Sequence, residues 1–142
     1  TKVNNVLFRE DGSEALSMID LDTVMPGTIL FDTGDMLRTG SNTAEEDTLA
    51  LDSVDCALPF HRALLSGYRS KASFLTPLEE ELLVESGRTI TQIMAVRFLT
   101  DYLNGDVYYH TERESHNLDR SRTQIALMKA MDRQWGALTK GA

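Results

Sequence analysis

The sequence predicts a mainly α-helical domain that opens with a single β-hairpin. Near the N-terminus, two short apolar runs flank an Asp-Gly pair, which is a strong hairpin signal. Beyond residue 30, apolar side chains recur every three or four positions, the spacing of amphipathic helices. The chain of 142 residues is long enough to bury a core, and we expect residues 1–142 to form one domain.

The composition is that of an acidic protein without a membrane segment. Lys and Arg together number 14 against 22 Asp and Glu, which gives a net charge of −8. Such a chain has no electrostatic footprint for nucleic acid or an anionic membrane surface, so we expect neither as a partner. Its apolar runs are far shorter than the roughly 20 residues that span a bilayer. A single cysteine, Cys56, and the absence of a leader pattern predict a cytoplasmic protein.

The hairpin is predicted over residues 5–20. A two-residue turn at the Asp-Gly pair places Asn5 opposite Met18, and a bulged loop shifts that register by one or two residues. Because a strand advances about 3.3 Å per residue, Asn5 and Asp20 are expected to lie side by side. An isolated hairpin is marginal in water, so this one must pack against the helices or against something outside the sequence.

Four helices are predicted, within residues 31–38, 55–70, 77–104 and 118–138. Asp32 resembles the N-cap of the first helix. Asp52 offers a cap for the second, although Pro59 indicates that this helix begins at the proline or kinks there. The last helix is expected to open near Asn117 or Asp119.

The third helix has the clearest predicted boundaries. Thr76 is an N-cap, a proline follows it, and Glu79 completes a capping box. Gly105 is the expected C-terminal stop, and Gly87 is a candidate break in an otherwise long helix. The predicted apolar stripe comprises Leu78, Leu82, Ile90, Ile93, Met94 and Phe98.

Asn5 and Asp20 are the leading candidates for chemistry. Amide and carboxylate oxygens suit Mg²⁺, and such a pair can hold the ion that bridges nucleotide phosphates during phosphoryl transfer. The alternative is structural, with Asn5 starting the hairpin and Asp20 lying in the turn after it. His61, His110 and His116 show no metal-ligand spacing, and His61 is expected to be a packed helix residue.

Several blocks of the chain resemble the aminoglycoside-phosphotransferase and kinase-like family, and within it most of all the N-acetylhexosamine 1-kinases. The blocks are 1–8 (TKVNNVLF), 19–23 (IDLDT), 31–35 (FDTGD), 97–103 (RFLTDYL) and 116–120 (HNLDR). The resemblance implies the C-terminal lobe of a protein-kinase-like phosphotransferase fold. It also implies ATP as the phosphoryl donor, Mg²⁺ as the cofactor and the anomeric oxygen of an N-acetylhexosamine as the acceptor.

The family's catalytic loop reads His-x-Asp-x-x-x-x-Asn, and Asn5 matches its last position, a Mg²⁺ ligand. Lys2 matches the loop lysine that lies near the transferred phosphoryl group. Asp20 matches the aspartate of the kinase Asp-Phe-Gly motif, the second metal ligand. The resemblance further implies that Asp22 is a third carboxylate acting through water and that Arg97 contacts the sugar substrate.

The sequence also departs from the family. The catalytic-base aspartate and its histidine would lie just before Thr1, and neither is in the sequence. The N-terminal nucleotide lobe, with its glycine-rich loop, is missing as well. We therefore expect a C-terminal fragment that is inactive alone, needs the missing lobe as its partner, and is prone to self-association through exposed apolar surface.

Other interpretations of the same residues stay open. Asp20 and Asp22 after an apolar strand also resemble the first motif of haloacid-dehalogenase-type phosphatases, with a nucleophile followed two residues later by an acid/base. A helical binding module without chemistry is a further alternative. For Arg97, the alternative to substrate contact is an ion pair with Asp101, four residues later in the helix.

Overall fold

The computed structural model describes residues 5–22 and 24–140. Within these residues a β-hairpin precedes four α-helices, so the predicted fold class, mainly α with one N-terminal hairpin, is confirmed. The strands are β1 (Val6–Phe8) and β2 (Ala15–Met18). The helices are α1 (Ile29–Ser41), α2 (Leu58–Arg69), α3 (Pro77–Leu103) and α4 (His116–Thr139).

The two strands pair antiparallel, with Val6 opposite Met18 and a bulge between Leu7 and Phe8. A two-residue turn would have placed Asn5 opposite Met18. The observed register is shifted from this by one residue, and the bulge accounts for the shift. The strand pairing continues to the open end of the hairpin through one further hydrogen bond. It joins the backbone N–H of Ile19 to the carbonyl oxygen of Asn5 at 2.9 Å.

The helices of the described chain leave the hairpin largely uncovered. Phe8, Leu16 and Met18 are 51%, 56% and 53% exposed. Two strands alone bury too little apolar surface to be stable by themselves. Of the two arrangements expected from the sequence, packing against the helices is thus not found in the described residues, and these side chains can contact another surface.

α1 begins earlier than predicted. Thr28 is its N-cap, and the Thr28 hydroxyl accepts a hydrogen bond from the backbone N–H of Leu30 at 3.3 Å. Asp32 lies instead in the first turn, where its charge faces the positive end of the helix dipole. The predicted Asp32 cap is wrong because a threonine four residues earlier already supplies the side-chain acceptor.

α2 begins beside Pro59, which lies in its first turn, as one of the two predictions for this helix required. Asp52 does not cap it but lies in a short 3-10 turn, Leu51–Ser53. The intervening segment cannot join the helix because it pairs with the chain after α1 through an isolated bridge between Asn42 and Cys56.

α3 runs over the predicted range without a break. The capping box is present, with Glu79 N donating to Thr76 Oγ1 at 3.3 Å and Thr76 N donating to Glu79 Oε2 at 2.9 Å. Gly105 follows the helix at φ +89°, a left-handed conformation that glycine adopts without strain. Gly87 stays helical, and a Cβ there would lie 3.0 Å from Leu37 Cβ.

α4 begins at His116, ahead of both predicted caps, with Ser115 at the N-cap position. Asn117 cannot act as the cap because its side-chain amide donates to Asp101 and Asp106, at 2.9 Å and 2.8 Å. The carboxylate of Asp119 is likewise engaged by arginine side chains. Tertiary contacts have therefore taken both of the predicted capping side chains.

α3 is the central helix and packs against both α1 and α4. The buried core includes Leu37, Leu65, Leu83, Val84, Leu127 and Met131. The predicted stripe of α3 is only partly right, because Ile90 and Phe98 are buried whereas Leu78 is 64% exposed. No helix within the described ranges has the length and apolar character to cross a bilayer.

α1 and α3 approach each other closely at Gly34. A Cβ at this position would lie 2.6 Å from the backbone oxygen of Ser86 and would collide with Ile90 Cγ1. Next to it, Thr33 Oγ1 and Ser86 Oγ share a buried hydrogen bond of 3.1 Å. The two helix backbones are in direct contact, so position 34 accepts only a residue without a side chain.

Gly34→Ala is expected to destabilise the protein by about 1–3 kcal/mol, because the added methyl group overpacks the contact between α1 and α3. Gly136→Ala is the matched control, since a Cβ at Gly136 meets nothing within 4 Å. Alanine there should raise stability by about 0.5–1 kcal/mol through its helix propensity. Chemical denaturation followed by circular dichroism measures both, and equal stabilities would contradict the close approach.

His61 is buried on α2, as expected for a packed histidine. Burial, together with the charges of Arg62 and Arg69, lowers the pKa of His61 from 6.5 to about 4. Between these values the unfolded chain binds a proton at His61 that the folded chain does not, so the free energy of unfolding should fall with decreasing pH. From pH 7 to pH 5 the loss should be about 2 kcal/mol.

Denaturant titrations at the two pH values measure this loss. His61→Leu should flatten the pH dependence, because leucine has no proton to bind. His110→Leu is the control, since His110 is exposed and its replacement should leave the dependence unchanged. A His61→Leu variant that loses as much stability on acidification as the parent would show that another group is responsible.

Candidate functional site

The hairpin brings Asn5 and Asp20 together, as predicted. Asn5 Nδ2 donates a hydrogen bond to Asp20 Oδ2 at 3.1 Å, although fifteen residues separate the two in sequence. Asp20 lies just beyond the last ladder bond and has φ 59°, a left-handed conformation that is uncommon outside glycine. The strand pairing and this local backbone conformation together place the two side chains at the open end of the hairpin.

The spacing of this pair fits two ligands of one magnesium ion. Adjacent oxygens of an octahedral Mg²⁺ site, each about 2.1 Å from the ion, lie roughly 3 Å apart. The observed separation between Asn5 Nδ2 and Asp20 Oδ2 is 3.1 Å, and half a turn of the amide about χ2 would present Oδ1 in place of Nδ2. Mg²⁺ usually takes one or two protein ligands and completes its shell with water and phosphate, so two residues suffice.

The other two predicted residues of this loop are less informative. Asp22 is exposed and lies in a turn that the backbone N–H of Val24 closes on the carbonyl oxygen of Leu21, at 3.1 Å. Among the described residues, no hydrogen bond joins Asp22 to Asn5 or Asp20, so its predicted role as a third ligand would require water. Lys2 lies outside the described residues.

Arg97 lies on α3 next to two tyrosines. Its guanidinium carbon is 5.7 Å from the ring centre of Tyr108 and 5.6 Å from that of Tyr109, distances typical of cation–π contacts. Phe98 supports this arrangement from the buried side, with its ring centre 4.8 Å from that of Tyr109. The alternative ion pair between Arg97 and Asp101 is not formed in the described chain.

Asp101 is instead the anchor of the loop that carries the tyrosines. It accepts backbone N–H groups from Val107 (3.1 Å), Tyr108 (2.8 Å) and Tyr109 (2.9 Å), and the side-chain amide of Asn117 (2.9 Å). Burial raises the pKa of Asp101, but these donors outweigh burial and hold the pKa below its ordinary value. The carboxylate therefore stays charged and fixes the loop against α3 and α4.

A cavity of about 320 Å³ lies on this loop. Arg97, Asp101, Asn104 and Tyr108 contribute to its lining, which combines a cation, an amide and an aromatic face. The Tyr109 hydroxyl is buried without a hydrogen-bond partner in the described chain. Burial raises the pKa of Tyr109, although the nearby Arg97 works in the opposite direction. These groups can bind a small polar molecule that has both hydroxyl groups and apolar faces.

Two polar networks that the sequence did not predict hold the connection after α1 in place. Arg38 is almost fully buried and donates to Glu46 Oε1 at 2.8 Å and to Gln124 Oε1 at 3.2 Å. The His116 imidazole pairs with Asp47 at 2.9 Å. These partners lie 8 to 86 residues apart in the sequence. Only the additional ion pair of Arg38 with Asp35, three residues earlier and at 2.8 Å, has a spacing that a local helix pattern could have revealed.

No profile of a known protein family matches the chain. The described ranges also contain no group of three or more His, Cys, Asp and Glu side chains arranged to hold a metal ion. The functional assignment therefore depends on the geometry of Asn5 with Asp20 and on the surroundings of Arg97.

Asp101→Asn is expected to loosen the tyrosine loop and lower the melting temperature by several degrees, because an amide has one acceptor oxygen instead of two and its NH₂ group faces other donors. The carboxylate contribution should be complete above about pH 4, the value of the unfolded chain, and should disappear as the pH falls through the lower pKa of the folded protein. Thermal melting and near-ultraviolet circular dichroism of the tyrosines measure the change.

Asp11→Asn is the control for this substitution. Asp11 also accepts hydrogen bonds, from the backbone N–H and the hydroxyl of Ser13, but it lies in the exposed hairpin turn. Its replacement should leave helix melting unchanged. An Asp101→Asn variant with the parent melting temperature and tyrosine spectrum would show that Asp101 does not hold the loop.

Proposed function

We propose that the chain is the helical C-terminal lobe of an ATP- and Mg²⁺-dependent phosphotransferase of the aminoglycoside-phosphotransferase and kinase-like type. The acceptor is a hydroxyl group of a small sugar, with the anomeric oxygen of an N-acetylhexosamine as the leading candidate. Such an enzyme would act in the cytoplasm, where ATP is available. The observation that carries the proposal is the contact between Asn5 and Asp20 at the end of the hairpin.

In this proposal Asn5 and Asp20 hold the metal. When bound, Mg²⁺ neutralises the charge of the nucleotide phosphates and orients them for in-line transfer. Asn5 directly precedes β1 and Asp20 lies two residues after β2, so the hairpin register sets their separation before any ligand arrives. Such preorganisation is valuable in phosphoryl transfer, which depends on positioning and electrostatic stabilisation more than on covalent chemistry.

Arg97 is the proposed sugar contact. Its guanidinium presents several donors in a plane, and Tyr108 and Tyr109 restrict its position. Asp101 holds the tyrosine loop through three backbone N–H groups and forms no ion pair with Arg97 in the described chain. A charged side chain beside aromatic rings suits a hydroxylated ring with apolar faces.

Phosphoryl transfer further needs a base for the acceptor hydroxyl and a lobe that grips the nucleotide. The 142 residues contain neither the family's His-x-Asp base motif ahead of Asn5 nor a glycine-rich nucleotide loop. We therefore expect these residues alone to be inactive and a nucleotide lobe to be their principal partner.

The structure disfavours the phosphatase alternative but is compatible with the binding module. A haloacid-dehalogenase-type phosphatase using Asp20 and Asp22 needs a parallel sheet, whereas the described residues contain a single two-stranded antiparallel sheet. A binding module is supported by the exposed apolar side chains of the hairpin, which could also mediate self-association. The phosphotransferase is preferred because it also accounts for the Asn5–Asp20 pair.

The test uses the complete reading frame, incubated with ATP, Mg²⁺ and a panel of N-acetylhexosamines, with sugar 1-phosphate measured as product. Asp20→Asn should lower kcat/KM by about 100-fold or more, because it removes a charged metal ligand. Glu10→Gln is the control, since it changes the charge equally in the exposed hairpin turn and should leave kcat/KM unchanged. Full activity of the Asp20→Asn enzyme would refute the proposed metal site.

Three further outcomes separate the candidate functions. Sugar phosphorylation by the 142-residue chain alone would refute the need for a second lobe. Mg²⁺-dependent release of phosphate from a sugar phosphate or an acyl phosphate would favour the phosphatase. A full-length protein inert in both assays would favour the binding module.

A further inference from the structure

A cleft of about 670 Å³ lies between the 3-10 turn Leu51–Ser53 and α4, formed by residues that have no part in the proposed phosphotransferase site. Its volume is within the range of protein binding sites. The lining residues are Leu51, Asp52, Val54, Arg122, Ile125, Ala126, Lys129 and Arg133. We call this feature the α4 cleft.

The α4 cleft has the opposite charge from the rest of the protein. Three of its lining side chains are cationic and one, Asp52, is anionic, whereas the whole chain carries a net charge of −8. Two of the cations have a carboxylate beside them that does not line the cleft: Arg122 donates a hydrogen bond to Asp119 at 3.3 Å, and Arg133 lies 3.9 Å from Asp55. Within the described ranges Lys129 has no ion pair. The cleft therefore attracts anions that the remaining surface repels.

The spacing of the three cations indicates an extended ligand. Arg122, Lys129 and Arg133 lie seven and four residues apart, which places them on one face of α4. At a rise of 1.5 Å per residue, the three positions are about 10.5 Å and about 6 Å apart along the helix axis. A single phosphate or carboxylate group is too small to engage all three.

Apolar residues lie between the cationic positions. Ile125 and Ala126 follow Arg122 on α4, and Leu51 and Val54 form the facing wall, with Val54 only 4% exposed. A ligand with negative charges at both ends and an apolar group in the middle would therefore match this lining. An extended peptide meets this requirement because alternate side chains point to the same side, about 6.6 Å apart.

We propose that the α4 cleft binds an acidic segment of a partner protein that carries a central apolar side chain. The acidic residues face Arg122 at one end and Lys129 with Arg133 at the other, and the apolar side chain packs against Ile125 and Leu51, which are 36% and 39% exposed. This arrangement combines a small apolar anchor with charge complementarity, which sets the orientation of the segment and speeds its association.

The experiment measures fluorescence anisotropy of a labelled peptide, Glu-Ser-Leu-Ser-Glu-Ser-Glu, with the 142-residue chain at low and high salt. We expect saturable binding that weakens as the salt concentration rises. The double variant Lys129→Glu/Arg133→Glu should reduce affinity by about tenfold or more, since attraction becomes repulsion. The double variant Lys71→Glu/Lys140→Glu makes the same charge change at exposed positions outside the cleft and should bind as the parent does.

A second peptide with serine in place of the central leucine tests the apolar anchor, and it should bind at least about threefold more weakly. Equal affinity for both peptides would show that binding depends on charge alone, without the apolar anchor, and would overturn the proposal. So would tighter binding of a single-stranded oligonucleotide of the same length, or the absence of peptide binding at millimolar protein. Self-association that the cleft variant abolishes would assign the surface to a second copy of the chain and would also overturn it.

Discussion

The helical part of this protein depends on the direct contact between α1 and α3 at Gly34. No side chain separates the two backbones there, and the buried hydrogen bond between Thr33 and Ser86 joins them. One turn further along α1, Leu37 packs onto Gly87 of α3 and extends the contact. With one face of the 27-residue α3 held in this way, its other face receives α4, where the Ser121 hydroxyl donates to the carbonyl oxygen of Ala95 at 2.9 Å.

Two aspartates then determine what the surface can do, and they do so in opposite ways. Asp101 is buried and its acceptor capacity is consumed by the loop N–H groups, which leaves Arg97 without a carboxylate partner and next to the tyrosine rings. Asp20 is exposed, and among the described residues its carboxylate accepts a hydrogen bond from the amide of Asn5. The Asp101 carboxylate fixes the loop that lines the cavity beside Arg97. The Asp20 carboxylate, in contrast, is exposed and could itself coordinate a metal ion.

The sequence revealed the features that are encoded locally. The Asp-Gly turn gave the hairpin, and the Thr76–Glu79 box gave the start of α3, because each signal is satisfied within a few residues. The start of α4 and the role of Asp101 could not be predicted, because Asp101 bonds to backbone N–H groups six to eight residues away and to Asn117, sixteen residues away, and no short-range sequence signal marks these contacts. The apolar stripe of α3 was partly misplaced for a different reason: α3 meets α1 through Ser86 and Gly87, which a hydrophobicity pattern does not register.

The uncovered hairpin shares no core with the helices among the described residues, so the two parts are expected to order independently of each other. A melting curve of the helices would then give no information about the positions of Asn5 and Asp20. That geometry depends on the bulge between Leu7 and Phe8, because a slip of one residue reverses the direction of every side chain on a strand. In the proposed phosphotransferase, the distance between Asn5 and Asp20 would therefore follow the strand pairing, and a surface that holds the hairpin in register would also hold these two side chains together.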